Sequence, residues 1–216
     1  MRNPDLHGNV PDYCNVALLL IDVINTLEFD EADQFLKFAL PAARNIAALR
    51  KRARALDVPV VYVNDNSGKW RSDFKTHLRY CLSEKCKGRE IAEILKPADN
   101  DYFVLKPKHS GFFSTALDIL IRYLRADTLI LTGFAGNICV LFTANDAYMR
   151  DFDLYVPSDC TASNTEHENR HALEQMQKVL KANITSSAIL DLSSLLNEIA
   201  PTDFKEPMRG SGRRGH

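Results

Sequence analysis

The fold is decided by one stretch of the chain, Thr128-Leu-Ile-Leu-Thr-Gly133-Phe-Ala-Gly-Asn-Ile-Cys139-Val-Leu-Phe-Thr-Ala-Asn-Asp-Ala147. It begins with an apolar run that is typical of a buried strand, and a helical pattern starts after the glycine-containing turn, at about Ile138. Cys139 is therefore predicted in the first turn of a helix, where unpaired backbone N–H groups and the helix dipole stabilise an anion. We expect this position to lower the pKa of the thiol and to favour the nucleophilic thiolate. A small core residue is the simpler alternative.

Two further polar residues follow apolar runs that are typical of buried parallel strands. Asp22 ends the run Val16-Ala-Leu-Leu-Leu-Ile21, and Lys106 closes the run Tyr102-Phe-Val-Leu105. In open α/β sheets, functional groups gather at the carboxyl ends of the strands. We expect Asp22 to accept the Cys139 proton and Lys106 to hold Asp22 ionised. A turn aspartate and a lysine that returns the chain to solvent are the structural alternatives.

Strand-like and helix-like segments alternate along the chain. Strands are predicted at 16–21, 58–63, 102–105, 128–132, 153–156 and 184–187. Helices are predicted at 31–56 with an interruption at Pro41, and at 115–125, 138–150 and 165–181. The last helix has a capping-box pattern that runs from Asn164 or Thr165 to Glu168. This alternation predicts a three-layer α/β protein with a mostly parallel six-stranded sheet.

Size and charge are those of one ordinary globular domain. The chain has 216 residues and a mass of 24.4 kDa, and we assign residues 12–200 to the domain. Residues 201–216 form a tail, Gly-rich and basic towards its end, that is expected to be flexible. The net charge of −1 and the pI of about 6.6 give no reason to expect binding to nucleic acid or to an anionic membrane.

Cysteine usage and hydropathy predict the compartment. Five cysteines, an odd number without regular spacing, indicate a reducing environment rather than a disulfide framework. No apolar run approaches the roughly 20 residues that span a bilayer. The first residues, Met-Arg-Asn-Pro-Asp-Leu-His, lack the apolar core of a signal peptide. We therefore predict a cytoplasmic protein without a membrane partner.

The motifs around the three polar residues resemble those of the isochorismatase-like cysteine hydrolases. They are "ALLLID" ending at Asp22, "DYFVLKPKHSGFFSTALDILI" around Lys106 and "LILTGFAGNICVLFTANDAYMRDFDLYVPSDCTAS" around Cys139. The resemblance runs from about Val16 to Ser187 and implies a Rossmann-like fold, an Asp-Lys-Cys triad and a homo-oligomer, either a dimer or a tetramer. Lys108 is a rival for the lysine role, but the family lysine stands four positions before the start of an "SAF"-like motif, which selects Lys106.

The same resemblance implies how the turn before Cys139 is built and what the site does. Similar enzymes have a cis peptide bond without proline in this turn, which falls here between Phe134 and Ala135. The backbone amides of Ala135 and Cys139 would then form the oxyanion hole for a tetrahedral intermediate. The implied reaction is hydrolysis of a small carboxamide or a related C–N bond through a thioester, with no cofactor.

Metal binding is not expected. Nicotinamidases of this family bind a metal ion through Asp-x-His and a further His after the second strand, whereas Tyr62–Trp70 contains no histidine. His77 with Cys81 and Cys86 is only a weak metal pattern, and the pair His167 and His171 fits a solvated helix face better. Substrate contacts are predicted instead for five residues near the strand ends, Asn64, Asp65, Trp70, Phe112 and Phe134, although packing in the core or at a subunit interface is an equal alternative for the aromatic residues Trp70 and Phe112.

Three other functions remain open. Isochorismatases hydrolyse a vinyl ether, and family members with that reaction need the aspartate but not the cysteine, so the complete triad argues against it. A non-catalytic protein on the same fold would have an unreactive Cys139. A redox-sensing protein would need a resolving cysteine near Cys139, and Cys160 at the end of the next strand is a conceivable partner.

Overall fold

The computed structural model describes residues 12–68 and 73–197. Its strands are β1 (Val16–Ile21), β2 (Val60–Asp65), β3 (Tyr102–Lys106), β4 (Thr128–Phe134), β5 (Asp153–Tyr155) and β6 (Thr161–Ala162). They form one sheet with the order β3-β2-β1-β4-β5, in which β6 also pairs with β4 and all pairings are parallel. The predicted α/β architecture with a parallel six-stranded sheet is confirmed.

Helices cover both faces of this sheet. They are α1 (Ala32–Ala55), α2 (Phe74–Cys81), α3 (Arg89–Ile94), α4 (Leu117–Leu124), α5 (Leu141–Tyr148), α6 (Glu166–Val179) and α7 (Leu192–Asn197), and a π-helical turn, Gly136–Val140, precedes α5. The predicted capping box is present at α6, where Thr165 and Glu168 bond each other's backbone N–H. Among the described residues, no helix is long and apolar enough to cross a membrane.

The layers follow from the side-chain alternation along β1. Leu18 and Leu20 join an apolar cluster with α1, α2, α3 and α7, whereas Leu19 and Ile21 join a second cluster with α4, α5 and α6. Successive side chains of a strand point to opposite faces, so a strand that is covered on both sides is apolar throughout. All six residues of β1 are buried. Its carboxyl end, where Asp22 follows, therefore lies in the middle of the sheet beside that of β4.

Helix α1 is continuous, so the predicted interruption at Pro41 is wrong. Pro41 lies inside the helix on its exposed side, while Phe35, Ala39 and Ile46 are buried against the sheet. A proline in a helix removes one backbone hydrogen bond and costs about 3 kcal/mol. Burial of an apolar face this long outweighs that cost and keeps the helix intact.

The sixth strand is not where the sequence pattern predicted it. Residues 184–187 do not form a strand. Asn183, which precedes them, makes an isolated β-bridge to Tyr155. The carboxylate of Asp159 accepts hydrogen bonds from the Ser186 hydroxyl at 2.9 Å and the Ser187 amide at 2.7 Å, which turns this segment away from the sheet. Strand β6 pairs with β4 instead, along the part of β4 that extends beyond the short β5. Residues 198–200 of the predicted domain and the predicted tail 201–216 lie outside the described residues.

Candidate active site

The three residues predicted to be catalytic lie together at the carboxyl ends of β1, β3 and β4. Asp22 directly follows β1, Lys106 is the last residue of β3, and Cys139 lies in the π-helical turn after β4. The Lys106 Nζ lies 2.7 Å from Asp22 Oδ2 and 3.5 Å from Cys139 Sγ. The thiol also interacts with the Asp22 carboxylate. A carboxylate, an ammonium and a thiol thus form one contiguous cluster.

Asp22 is fixed by its backbone as well as by its carboxylate. Its φ of 51° is in the left-handed region, which aspartate tolerates better than most residues. Its N–H donates to the Val63 carbonyl at 2.9 Å, and its Oδ1 accepts from the Asp65 N–H at 2.6 Å. Only 4% of Asp22 is exposed, and this burial raises the pKa of the carboxyl while Lys106 opposes the rise. The carboxylate is thereby aimed at Lys106 and Cys139 and becomes a stronger base than an exposed aspartate.

Lys106 is fully buried and is held on several sides. Besides Asp22, its ammonium donates to the Lys108 carbonyl at 3.1 Å and lies 3.6 Å from Asp65 Oδ2. Burial alone would lower the pKa of Lys106, but the neighbouring charge of Asp22, followed by that of Cys139, outweighs burial and raises it. Lys106 is therefore a cation at neutral pH. The side chain of its rival, Lys108, is exposed, and only its backbone takes part.

The electrostatics of Cys139 differ from the expectation. Burial and then the Asp22 carboxylate raise the pKa of the thiol to about 12, although Lys106 acts in the opposite direction. The predicted lowering of the pKa is therefore wrong. A helix start stabilises an anion only modestly, by about 1 kcal/mol, which does not offset the loss of water and an adjacent negative charge. The resting residue is a neutral thiol that needs a proton acceptor before it can attack.

The turn that carries Cys139 contains a cis peptide bond between Phe134 and Ala135. Gly133 before this bond has a φ of 113° and lies so close to β1 that a Cβ there would meet the Ile21 carbonyl oxygen at 2.0 Å. A Cβ on Gly136 would meet the amide oxygen of Asn169 at 2.1 Å. The turn therefore needs glycine at both positions, because the backbone approaches Ile21 and Asn169 closely there. It places the Ala135 and Cys139 amides at the start of the helical segment.

Further hydrogen bonds join the turn to its surroundings. The Asn137 N–H donates to the Ser163 hydroxyl at 3.1 Å, and that hydroxyl donates to Asn169 at 3.3 Å. On the α5 side, the Thr143 hydroxyl accepts from the Gly111 N–H at 3.0 Å and donates to the Cys139 carbonyl at 2.7 Å. The loop after β3, which follows Lys106, is therefore tied directly to the helix that carries the thiol.

Of the polar residues predicted to bind substrate, one reaches the cluster. Asp65 is half-buried and lies beside Lys106. Asn64 is 1% exposed and donates to the Ile24 carbonyl at 2.7 Å, so its amide supports the loop after β1 instead of facing an open site. Trp70 lies outside the described residues.

Neither of the two phenylalanines predicted to bind substrate is open to a ligand. Phe112 is 4% exposed and packs on Phe152, with ring centroids 5.9 Å apart, while Arg150 covers its ring. Phe134 is 2% exposed and packs edge-on against Phe35, with ring centroids 5.4 Å apart. The two rings fill the core on opposite faces of the sheet.

His109 lies beside the thiol and was missed in the sequence. Its Nδ1 lies 3.9 Å from Cys139 Sγ, and its ring is 5.4 Å from that of Phe142 in α5. The side chain is exposed, in contrast to Asp22 and Lys106. Its position three residues after Lys106 is the one feature of the sequence that points to it, and this feature alone does not place the side chain beside the thiol.

The weak metal patterns do not form a site. Among residues 12–68 and 73–197, no group of three or more His, Cys, Asp or Glu side chains is arranged to hold a metal ion. His77 pairs through Nε2 with the Ile24 carbonyl at 2.8 Å, and the Cys86 thiol bonds the Thr26 carbonyl at 3.6 Å. These residues therefore support the loop after Asp22. The rings of His167 and His171 lie 4.0 Å apart, tilted by 47°, on the exposed face of α6.

A separate cavity of about 300 Å³ lies between α1 and the start of α6, where Asn45, Thr161 and Glu166 are among its lining residues. None of the three clustered residues lines it. Cys139 itself is partly exposed and lies beside the exposed side chain of His109.

Comparison with known proteins identifies the family and the fold. The isochorismatase domain matches residues 16–188. YaaI, an uncharacterised isochorismatase family protein of Bacillus subtilis (strain 168), is 45% identical over 170 residues, which are 79% of this chain and 93% of YaaI. The N-carbamoylsarcosine amidase of Thermoplasma acidophilum has a TM-score of 0.64 at 25% identity, over 82% of this chain and 99% of the amidase.

An isochorismatase family protein of Desulfovibrio vulgaris subsp. vulgaris str. Hildenborough shares the fold. Its TM-score is 0.68 at 24% identity, over 85% of this chain and 99% of that protein. The domain match covers the whole sheet and all three clustered residues. The chain therefore belongs to the isochorismatase family of hydrolases.

Proposed function

We propose that the protein is a cysteine-dependent amidohydrolase that cleaves a small carboxamide or a related C–N bond through a thioester. The observation that carries this proposal is the buried ion pair of Asp22 and Lys106 in contact with the Cys139 thiol. A base, a cation and a nucleophile within hydrogen-bonding reach of one another are what acyl transfer to a thiol requires. The amidase among the similar structures supports the same class of bond.

The first half of the reaction transfers the acyl group to sulfur. Asp22 takes the proton of the Cys139 thiol, and the sulfur attacks the amide carbon. The carbonyl oxygen becomes negative and is held by the Ala135 and Cys139 amides, which cost no reorganisation because the turn fixes them. Protonated Asp22 then gives its proton to the leaving nitrogen, the C–N bond breaks, and a thioester on Cys139 remains.

The second half releases the acid. Asp22, ionised again, takes a proton from water, and the resulting hydroxide attacks the thioester carbon. The C–S bond breaks, the sulfur recovers the proton from Asp22, and the carboxylic acid leaves. Asp22 thus moves every proton. Lys106 stays charged throughout, since its raised pKa keeps the ammonium form, and it offsets the negative charge that passes between Asp22 and Cys139.

The direct test is a screen of small carboxamides for ammonia release. Carboxamides that differ in acyl group are incubated with the purified protein, and ammonia is measured with a coupled enzyme. Release that depends on protein concentration and stops in Cys139→Ala supports the proposal. A fully alkylated Cys139 with undiminished ammonia release would contradict it.

The two lysines should differ sharply. We expect Lys106→Ala to lower kcat/KM by about 100-fold or more, because Asp22 loses the cation 2.7 Å away that holds it ionised. Lys108→Ala should stay within about threefold of the wild type, since the mutation keeps the backbone carbonyl that bonds Lys106. Steady-state kinetics and thermal denaturation of both variants check this. The reverse order would assign the lysine role to Lys108.

Activity should survive chelation. The segment Tyr62–Trp70 has no histidine to bind a metal beside the substrate. We expect kcat/KM to be unchanged after dialysis against EDTA and 1,10-phenanthroline, and elemental analysis to find no stoichiometric zinc or iron. Loss of activity that a single metal restores would refute this prediction, and Asp65, His77 and Cys81 would be the first ligands to mutate.

A further inference from the structure

The sulfur of Cys139 has a buried side and an open side. On the buried side are Asp22 and Lys106, which are 4% and 0% exposed. On the open side is the exposed imidazole of His109, whose Nδ1 lies 3.9 Å from the sulfur. Because the buried side is filled by the ion pair and the sheet, a substrate carbon reaches the sulfur from the side of His109.

His109 belongs to a wall beside this approach. Its ring lies 5.4 Å from that of Phe142, at an interplanar angle of 55°. Phe142 is 52% exposed, and Ile138, one turn earlier on the same helical segment, is 40% exposed. The wall therefore combines an imidazole that can donate or accept a hydrogen bond with an apolar surface.

The geometry of the tetrahedral intermediate determines which group of the substrate faces His109 and Phe142. The carbon bonded to sulfur carries three other groups, which are the oxygen, the leaving nitrogen and the acyl substituent. In the proposed reaction the oxygen lies at the Ala135 and Cys139 amides, and the nitrogen lies at Asp22, which protonates it. The acyl substituent is left for the remaining direction, towards His109.

We propose that His109 and Phe142 form the subsite for the acyl substituent, and that His109 makes the enzyme selective for acyl groups with a hydrogen-bonding atom near the carbonyl. This inference rests on the proposed amidohydrolase function. His109 is a specificity-determining residue in this scheme, since proton transfer belongs to Asp22. A site with a polar group at this point disfavours an apolar substituent, which would leave the imidazole unpaired.

Alkylation of Cys139 tests the subsite without a known substrate. Iodoacetamide and allyl iodide are small planar reagents that differ in hydrogen-bonding capacity, and both place a substituent on the sulfur from the open side. The rate constant for Cys139 with each reagent is measured by peptide mass spectrometry in the wild type, His109→Phe and His109→Gln. The ratio of the two rates cancels any change in the thiolate fraction, because that fraction affects both reagents equally.

We expect His109→Phe to lower the ratio of the iodoacetamide rate to the allyl iodide rate by about fivefold or more, the usual worth of one hydrogen bond. His109→Gln should restore at least half of that loss, and His167→Phe, which alters an exposed histidine on α6, should leave the ratio unchanged. A ratio in His109→Phe within twofold of the wild type would overturn the proposal, as would a loss that His109→Gln does not restore.

A second measurement uses matched amides. Lactamide and isobutyramide differ by a hydroxyl in place of a methyl group next to the carbonyl. If both release ammonia, the ratio of their kcat/KM values should fall about fivefold in His109→Phe. If neither is hydrolysed while the alkylation ratio falls, the subsite stands and the proposed function is in question. If both are hydrolysed with an unchanged ratio, the subsite is wrong and the function stands.

Discussion

Cys139→Ala should abolish amide hydrolysis, lowering kcat/KM by about 10⁴-fold or more, because the thioester has no other atom to form on. Stability should change by no more than about 1 kcal/mol, since the thiol is only partly buried and packs at the margin of the core, and the substitution removes a single atom from it. The measurements are steady-state kinetics on an amide from the screen and denaturant unfolding. Acyl-enzyme should accumulate at Cys139 in the wild type and be absent from the variant by intact-protein mass spectrometry.

Cys14 provides a matched control for this prediction. It is the other cysteine that is partly exposed, and it lies at the opposite end of β1 from Asp22. Cys14→Ala should keep full activity and full acylation. If Cys139→Ala retained a tenth of the wild-type turnover while Cys14→Ala lost it, the nucleophile would be wrongly assigned. If both variants stayed active, the reaction would not proceed through a thiol, and hydrolysis that needs only the aspartate would become the better explanation.

Most of the sheet could be predicted because its central strands are buried on both faces. The run at 16–21 is entirely apolar and the run at 128–132 is apolar between two threonines, a pattern that is typical of buried parallel strands. The sequence pattern predicts β2 two residues too early, since Val58 is as apolar and as buried as the strand itself. The two-residue β6 has no periodicity to detect. It exists because β5 ends early and leaves the edge of β4 to pair.

The position of each clustered residue could be predicted, but its environment could not. A polar residue directly after a buried strand must emerge at the sheet edge, which is enough to bring Asp22 and Lys106 together. The pKa of Cys139 depends instead on how much water the finished fold removes and on which oxygen of Asp22 turns towards sulfur. Both depend on the tertiary structure, which the sequence pattern does not give. For this reason the thiol pKa is raised, although the sequence predicts that it is lowered.

The surroundings of the aromatic residues could not be predicted from the sequence either. Phe112 and Phe134 lie within the motifs, close to the ends of strands, where a ring can enter the core or line a pocket. Here both enter the core, where Phe152 and Phe35 receive them. His109 was overlooked because an isolated histidine in a loop has no pattern of its own. Only the fold reveals that the loop after Lys106 folds back over the thiol.

Asp22→Asn should be almost as damaging as loss of the thiol, with kcat/KM lower by about 10³-fold, because an amide does not accept a proton at neutral pH. Its effect on Cys139 should go the other way. The Asp22 charge helps to raise the thiol pKa, so its removal leaves Lys106 as the charge nearest the sulfur and lowers that pKa. Iodoacetamide should therefore alkylate Cys139 faster at pH 7 in the variant, although turnover is lost.

The pH profile of the wild type follows from the same carboxylate. Activity requires ionised Asp22, so kcat/KM should fall as the pH drops through the pKa of this group. Burial raises that pKa, and the acid limb should therefore lie above the ordinary aspartate value of 3.8. The pKa of Lys106 is raised above its ordinary value of 10.5, so Lys106 stays charged in the neutral range. We therefore expect kcat/KM not to fall through loss of this charge between neutral pH and 10.5. An acid limb at or below the ordinary value would show that Asp22 is not the base.

A double variant separates catalysis from stability. Asp22→Asn alone leaves the fully buried Lys106 without its nearest carboxylate, and breaking a buried pair in this way costs about 3–5 kcal/mol. Asp22→Asn combined with Lys106→Met removes both charges, and it should recover most of that stability while remaining inactive. Recovery of activity together with stability would mean that the ion pair only supports the fold. Stability without activity would show that the activity lost in Asp22→Asn is not explained by loss of the fold, because the thiol, the turn and the loop after β3 would all remain in place.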